Sequence, residues 1–286
     1  MGPGGVRRIT NDFKAALNAS AKRYASRLPP RFRDTVKDGL ASEAEESPVA
    51  REAQILPDAD VRALIEAAWA IDAQGDWGGD LARMVLLLAA TGARFSQVQR
   101  LTVADVQFAE KRLMMPSSRK GRVDKPRKPT PIRVGDDVLE ALRPATNGRK
   151  GHETLLLRPR WRQVGRVQWE RYERGPWRSA SELTRPWAAI VARAGLALAT
   201  VPYALRHSSI IRGLRVGLPI RLVAALHDTS VAMIESHYAA YVADAMDDLT
   251  AKAIIPLTTA SAEIIDLPRQ VGGDSRRDGD RLVRRN

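Results

Sequence analysis

The chain has 286 residues, with 46 Lys and Arg against 33 Asp and Glu, a formal charge of +13 at neutral pH. It contains no cysteine, which removes disulfides, thiol nucleophiles and cysteine-ligated zinc. Its four histidines, His152, His207, His227 and His237, lack the close spacing of a helical zinc pair, and no metal or other cofactor is expected.

The N-terminal residues 7–27 place Ile9, Phe13, Ala16 and Leu17 at helical spacing among basic residues, and Pro29-Pro30 ends the segment. A polar, acidic stretch follows and reads as a linker over 37–53. From Pro57, Val61, Leu64, Ile65 and Ala68 form one face of a helix with Asp58 and Asp60 in its first turn. A second helix, 80–90, is apolar on most sides and stops at Thr91-Gly92. It holds the longest apolar run, Met84 to Ala90, far short of the roughly 20 residues of a membrane span. The N-terminus also lacks the apolar stretch of a secretory signal, so a cytoplasmic protein is expected.

Three short β-like pieces, 103–106, 112–115 and 131–134, predict a small sheet whose hairpin loop carries Arg119, Lys120, Gly121 and Arg122. A helix is expected over 136–142, then an irregular basic stretch over 149–178 with Trp161, Trp169 and Trp177 at intervals of eight, read as packing contacts in preference to base and sugar contacts. Helices resume at 181–194 with a bend at Pro186, then at 203–214, 219–226, 230–241 and 243–254, before a basic tail over 257–286 expected to be disordered. The fold class is thus mixed α/β, predominantly α-helical with a small antiparallel sheet.

The charge is concentrated. Lys111 to Arg178 holds 19 Lys and Arg against 7 Asp and Glu, nearly all of the excess. Clustered cations suit a polyanion, because binding to nucleic acid gains from counterion release. Two segments are chemically dense. In Thr91-Gly92-Ala93-Arg94 an arginine sits where a buried helix stops, placed to offer its guanidinium fork to a phosphate. In Tyr203-Ala-Leu-Arg206-His207 and His227-Asp-Thr-Ser-Val-Ala-Met-Ile-Glu-Ser-His237-Tyr238, an arginine, histidines and tyrosines gather near helix ends within 36 residues.

These segments resemble, in order and spacing, the motif boxes of the tyrosine recombinase (phage integrase) family, over roughly residues 54 to 255. The resemblance implies the DNA breaking-rejoining catalytic domain over 54–256, preceded by a remnant core-binding helix in 1–36. It makes Tyr238 the nucleophile that forms a 3′-phosphotyrosyl link. Arg94 and Arg206 become the phosphate-binding arginines, and His227 the third conserved position, adding a hydrogen bond to the phosphate. The family's acid is a hairpin-loop lysine, here Lys120, with Lys125 and Lys128 as competitors. Arg119, Arg122, Lys125, Arg127, Lys128, Arg160, Arg162 and Arg166 are the expected DNA-binding residues. The chemistry, like that of type IB topoisomerases, needs a nucleophile, cations on the phosphoryl oxygens and an acid, but neither metal nor ATP.

The implied function is site-specific cleavage and rejoining of double-stranded DNA, as the integrase of a bacterial mobile element acting at the nucleoid. The chain would be monomeric when free and a homotetramer in synapsis, with the helix after Tyr238 docking on a neighbour. Two departures stand out. Tyr203 occupies the position where the family usually has histidine, and His207, one turn on, is its candidate substitute. The short segment ahead of the match implies a truncated product or a clamp supplied by a partner. The alternative reading is a catalytically impaired DNA-binding or regulatory relative.

Overall fold

The computed structural model describes residues 3–40, 54–118, 128–238, 241, 250, 251 and 254. Two helices lead, α1 (Pro3–Arg23) and α2 (Phe32–Gly39). α2 overruns the start of the expected linker, because Phe32, Val36 and Leu40 recur on one side and Val36 is buried.

The centre of the molecule is α4 (Asp80–Thr91), packed between α3 (Asp58–Gly75), α6 (Asp136–Thr146) and α8 (Ala204–Arg215). Leu81, Met84, Val85 and Leu87 have no exposed surface, so α4 is covered on all sides. A helix so enclosed needs its first N–H groups satisfied from elsewhere, and its N-cap, Gly79, has no side chain to do it. The carboxylate of Asp72 in α3 accepts from Gly79, Leu81 and Ala82 at 2.7, 2.9 and 3.0 Å. Against this layer also pack α7 (Thr184–Arg193) and the sheet. A second, smaller cluster joins the C-terminal half of α8, α9 (Ile220–Leu226) and a helix through residues 231–238.

The sheet is antiparallel in the order β1 (Val106–Gln107), β2 (Arg112–Met115), β3 (Thr130–Arg133). Leu113 stands opposite Val106 and Ile132, and these with Met115 are buried, the alternation expected of a strand with one face on the core. Residues 103–105, expected as strand, form a 3-10 turn. Asp105 accepts from both the backbone and hydroxyl of Thr102 and closes a capping box that a strand cannot accommodate.

The basic stretch is not irregular. It is a two-stranded ribbon, β4 (Leu157–Gln163) against β5 (Trp169–Pro176). Both faces of the ribbon are largely exposed, so its sequence lacks the apolar alternation that marks a half-buried strand. Its base is pinned to the N-terminus of α4, where Asp80 accepts from Leu157 N at 2.8 Å and Arg174 at 2.9 Å. Of the three tryptophans only Trp177 is buried, at 3 %, stacked on Trp77 and edge-on to Phe95. Trp161 and Trp169 are exposed, at 56 % and 60 %, so the packing expectation fails for them. The helix expected over 181–194 begins instead at Thr184, after a 3-10 turn over Ala180–Leu183. Pro186 lies in the first turn of α7, where the missing N–H has no intrahelical partner to lose.

The expected loop residues 119–127, most of the 243–254 helix and the 257–286 tail lie outside the described residues. Among the described residues no helix is long and apolar enough to cross a membrane, and no cluster of metal-ligating side chains occurs.

Candidate active site

The site is built where three chain breaks meet: the end of α4, the start of α8 and the end of α9. Gly92 closes α4 in the left-handed conformation (φ 60°), the usual helix stop for a residue without a Cβ. The chain then turns so that Arg94 becomes the N-cap of the short helix α5 (Phe95–Val98), with Gln97 Oε1 accepting from its backbone N–H. Arg206 lies in the first turn of α8.

The C-terminus of α9 holds both arginines. The carbonyls of His227 and Asp228, just past the last residue of α9, are the acceptors. Arg94 Nη1 donates to the carbonyl of Asp228 at 3.0 Å, and Arg206 Nη2 donates to the carbonyl of His227. Arg206 Nη1 also donates to Gly92 O at 2.8 Å. Arg206 is almost fully buried, and its pKa is lowered chiefly by burial, with the charge of Arg94 acting in the same direction. Two guanidinium groups are thus held close together with no carboxylate paired to Arg206 among the described residues, an arrangement suited to an anion.

Tyr238 lies on the helix through 231–238, and its phenol meets His207 Nδ1 at 2.6 Å. Burial, and then the neighbouring Tyr203, push the Tyr238 pKa up, with Arg206 opposing, so the phenol is protonated at neutral pH. Burial, Arg206 and His237 push the pKa of His207 down, so its ring is neutral there. A neutral imidazole beside a protonated phenol is an acceptor facing a donor. Tyr203 stacks edge-on against His207 at 5.1 Å and lies under the Arg206 guanidinium, but is 44 % exposed. An apolar cleft of about 520 Å³ opens beside these groups, lined by Phe95, Trp187, Val201, Pro202, Tyr203 and Arg206 among others.

His227 differs from its expected role. Its ring is buried, Nδ1 is 2.8 Å from Val223 O, and Nε2 is 3.0 Å from Ser209 Oγ. A carbonyl only accepts, so Nδ1 carries the proton and Nε2 receives the Ser209 hydroxyl. Burial first, then Arg206 and Arg94, lower its pKa to about 4 against the hydrogen bond to Val223. With both nitrogens engaged inside the protein, what His227 offers the site is its backbone carbonyl. The phosphate-contacting role expected of His227 came from the family resemblance, which says nothing of how deeply this ring is buried.

Arg94, Arg206 and Tyr238 are therefore brought together, with His207 and Tyr203 around them. Lys120, Arg119, Arg122, Lys125 and Arg127 fall outside the described residues. Lys128 is exposed, two residues ahead of β3. Arg160 is drawn inward, pairing with Glu182 at 2.6 Å and donating to Pro176 O, so it is a poor candidate for DNA contact. Arg162 pairs with Glu170 across the ribbon but stays exposed, and its guanidinium lies over Tyr172. Arg166, between the two ribbon strands, is exposed. The sequence reading missed Asp228, Gln97 and Ser209, polar residues of ordinary type whose partners are over a hundred positions away or a helix apart.

The family model described as "Phage integrase family" matches residues 56–244. No curated protein matches the chain significantly. Among solved structures, the Tn1549 transposon integrase in complex with circular intermediate DNA is similar at 16% identity, covering 89% of this chain and 81% of that one, with a TM-score of 0.55. XerA recombinase (19% identity, 86% and 83% coverage, TM-score 0.48) and the catalytic domain of bacteriophage HP1 integrase (18%, 72% and 96%, 0.45) are also similar. At these identities the likeness to solved structures is one of fold, and the matched family model spans most of the chain: it belongs to the phage integrase family, the tyrosine recombinases.

Proposed function

We propose that the chain is a site-specific DNA recombinase of a bacterial mobile element, which cleaves and rejoins double-stranded DNA through a 3′-phosphotyrosyl intermediate on Tyr238. The observation that carries this reading is the Tyr238 phenol, hydrogen-bonded at 2.6 Å to a neutral His207 beside two arginines held on one helix end. The Tyr238 oxygen attacks phosphorus while its proton passes to His207. Arg94 and Arg206 stabilise the charge that grows on the non-bridging oxygens. The P–O5′ bond breaks, and the departing oxygen takes a proton from Lys120. Rejoining is the same sequence reversed with a new 5′ hydroxyl, and since the link conserves the phosphodiester bond, neither metal nor ATP enters.

In this reading His207 supplies the proton acceptor that Tyr203 cannot, because a neutral phenol is a poor base at pH 7. Lys128, Arg162 and Arg166, with the loop cations Arg119, Arg122, Lys125 and Arg127, track the DNA backbone. The catalytic unit is 54–256, and residues 1–36 contribute to a core-binding element. It works as a homotetramer in synapsis and a monomer when free, in the bacterial cytoplasm at the nucleoid.

The test is a nicked half-site DNA that traps the covalent intermediate. An SDS-stable adduct with the native chain, absent in Tyr238→Phe, is the expected result. An adduct that survives in Tyr238→Phe removes Tyr238 as nucleophile. DNA binding with no adduct in the native chain makes it a non-catalytic relative.

A further inference from the structure

We propose that Asp228 is the positioning residue for Arg94, a role that rests on the recombinase reading and adds a residue to it. One carboxylate oxygen, Oδ2, accepts two hydrogen bonds and forms an ion pair. The Ser118 backbone N–H donates at 2.6 Å and Gln97 Nε2 at 3.3 Å, and Arg94 Nη1 lies 3.6 Å away. The main chain of the same residue holds the same arginine, through the 3.0 Å bond from Arg94 Nη1 to Asp228 O. Gln97 in turn ties back to Arg94 N and reaches Pro116 O, so the arginine's own turn, the end of α9 and the chain just after β2 share one anchor.

The backbone at this point sharpens the inference. Asp228 sits at φ 48°, just past the end of α9, where the N–H of Asp228 bonds Ala225 O and that of Thr229 bonds Ala224 O. This is the helix stop at which glycine is favoured, because a Cβ is strained in the left-handed region. A carboxylate beside a phosphate-binding arginine also weakens that arginine's attraction for DNA. Both the backbone and the electrostatics would be better served by another residue. What Asp228 supplies is placement: the Arg94 guanidinium is fixed before the phosphate arrives, and the reorganisation it would otherwise undergo during the reaction is removed.

Two variants separate placement from folding. Asp228→Gly suits the helix stop and removes the carboxylate. Asp228→Asn tolerates the same backbone and keeps an oxygen for the same partners. The measurement is the single-turnover rate of adduct formation at saturating half-site DNA, alongside half-site affinity and thermal unfolding. Asp228→Gly is expected to remain folded at the assay temperature and to bind half-site as tightly or more tightly, yet to form adduct on the order of 100-fold more slowly. Asp228→Asn is expected to retain a rate within about fivefold of native, since its oxygen preserves the geometry. A native rate in Asp228→Gly overturns the proposal, as does a rate in Asp228→Asn as low as that of Asp228→Gly. Should the native chain form no adduct, the recombinase reading fails on its own, and the Arg94 placement is then read from its Nε–H signal by ¹⁵N NMR. That nitrogen is buried and has no partner among the described residues, so its signal reports guanidinium order. A signal displaced in Asp228→Gly and kept in Asp228→Asn supports the anchor; one unchanged in Asp228→Gly overturns it.

Discussion

Replacing Gly92 by alanine probes how tightly the active-site arginines are tied to the ends of the helices. Gly92 adopts φ 60°, and a Cβ there would lie 2.6 Å from His227 Nε2 and 2.7 Å from Ser209 Oγ. The left-handed conformation costs alanine about 1 kcal/mol. The second contribution is steric. His227 cannot swing aside cheaply, because both ring nitrogens are hydrogen-bonded and the ring is buried. Displacing it breaks the Ser209 bond and strands a buried acceptor, at about 1–3 kcal/mol. Gly92→Ala should therefore lose about 2–4 kcal/mol in urea unfolding, read as a fall in midpoint at unchanged slope. It should also slow adduct formation, since Gly92 O is an acceptor for Arg206. In a His227→Ala background the clash with the ring disappears and Ser209 Oγ, freed of its histidine partner, can rotate away, so the cost of Gly92→Ala should shrink toward about 1 kcal/mol, the conformational part. A loss below about 1 kcal/mol in the native background, or an equal loss in both backgrounds, would refute the reasoning.

Other consequences follow from the same geometry. His227 has its pKa lowered to about 4 from an ordinary 6.5, so the native state binds fewer protons than the unfolded state between these values. Its contribution is complete above about pH 6.5 and is lost as pH falls toward 4, a decline of about 3 kcal/mol; urea titrations at pH 7 and pH 4.5 should show it, and His227→Gln should flatten the difference. His207, with its pKa pushed down by burial, must be neutral to accept the phenolic proton. The adduct rate should hold through pH 7 and decline on the acid side below the ordinary histidine range, and His207→Ala should lower the rate by about 10²–10⁴-fold while leaving half-site binding intact. A pH profile unaltered in that variant would remove His207 from the reaction. Trp177→Ala, which empties a buried site between Trp77 and Phe95, should cost about 3–5 kcal/mol by thermal or urea unfolding.

Local signals sufficed for much of this protein. The apolar run of α4 predicts a buried helix, and Thr91-Gly92 marks its end, since helix packing and a glycine stop depend on neighbours a few residues away. The period-two pattern of β2 is likewise visible in the chain, and so are the boxes around Arg94, Arg206 and Tyr238. The ribbon was not legible, because strands with two wet faces carry no burial pattern. It persists through cross-strand pairs such as Arg162 with Glu170 and through anchors to Asp76 and Asp80, residues about ninety positions distant.

The charge of +13 and its concentration between Lys111 and Arg178 are properties of the sequence alone, and so is the supply of arginines and tyrosines for phosphoryl chemistry. Which of those charges face outward was decided only in three dimensions, where Glu182 draws Arg160 inward while Arg162 and Arg166 stay exposed. Tertiary structure likewise separated two histidines that look alike in the chain. Packing buried the ring of His227 against Val223 and Ser209, and it set His207 on the phenol of Tyr238. The reason is physical: residue type fixes what a side chain can donate, accept or carry, whereas burial and the partners within 3 Å are set by segments that meet only when the chain is folded.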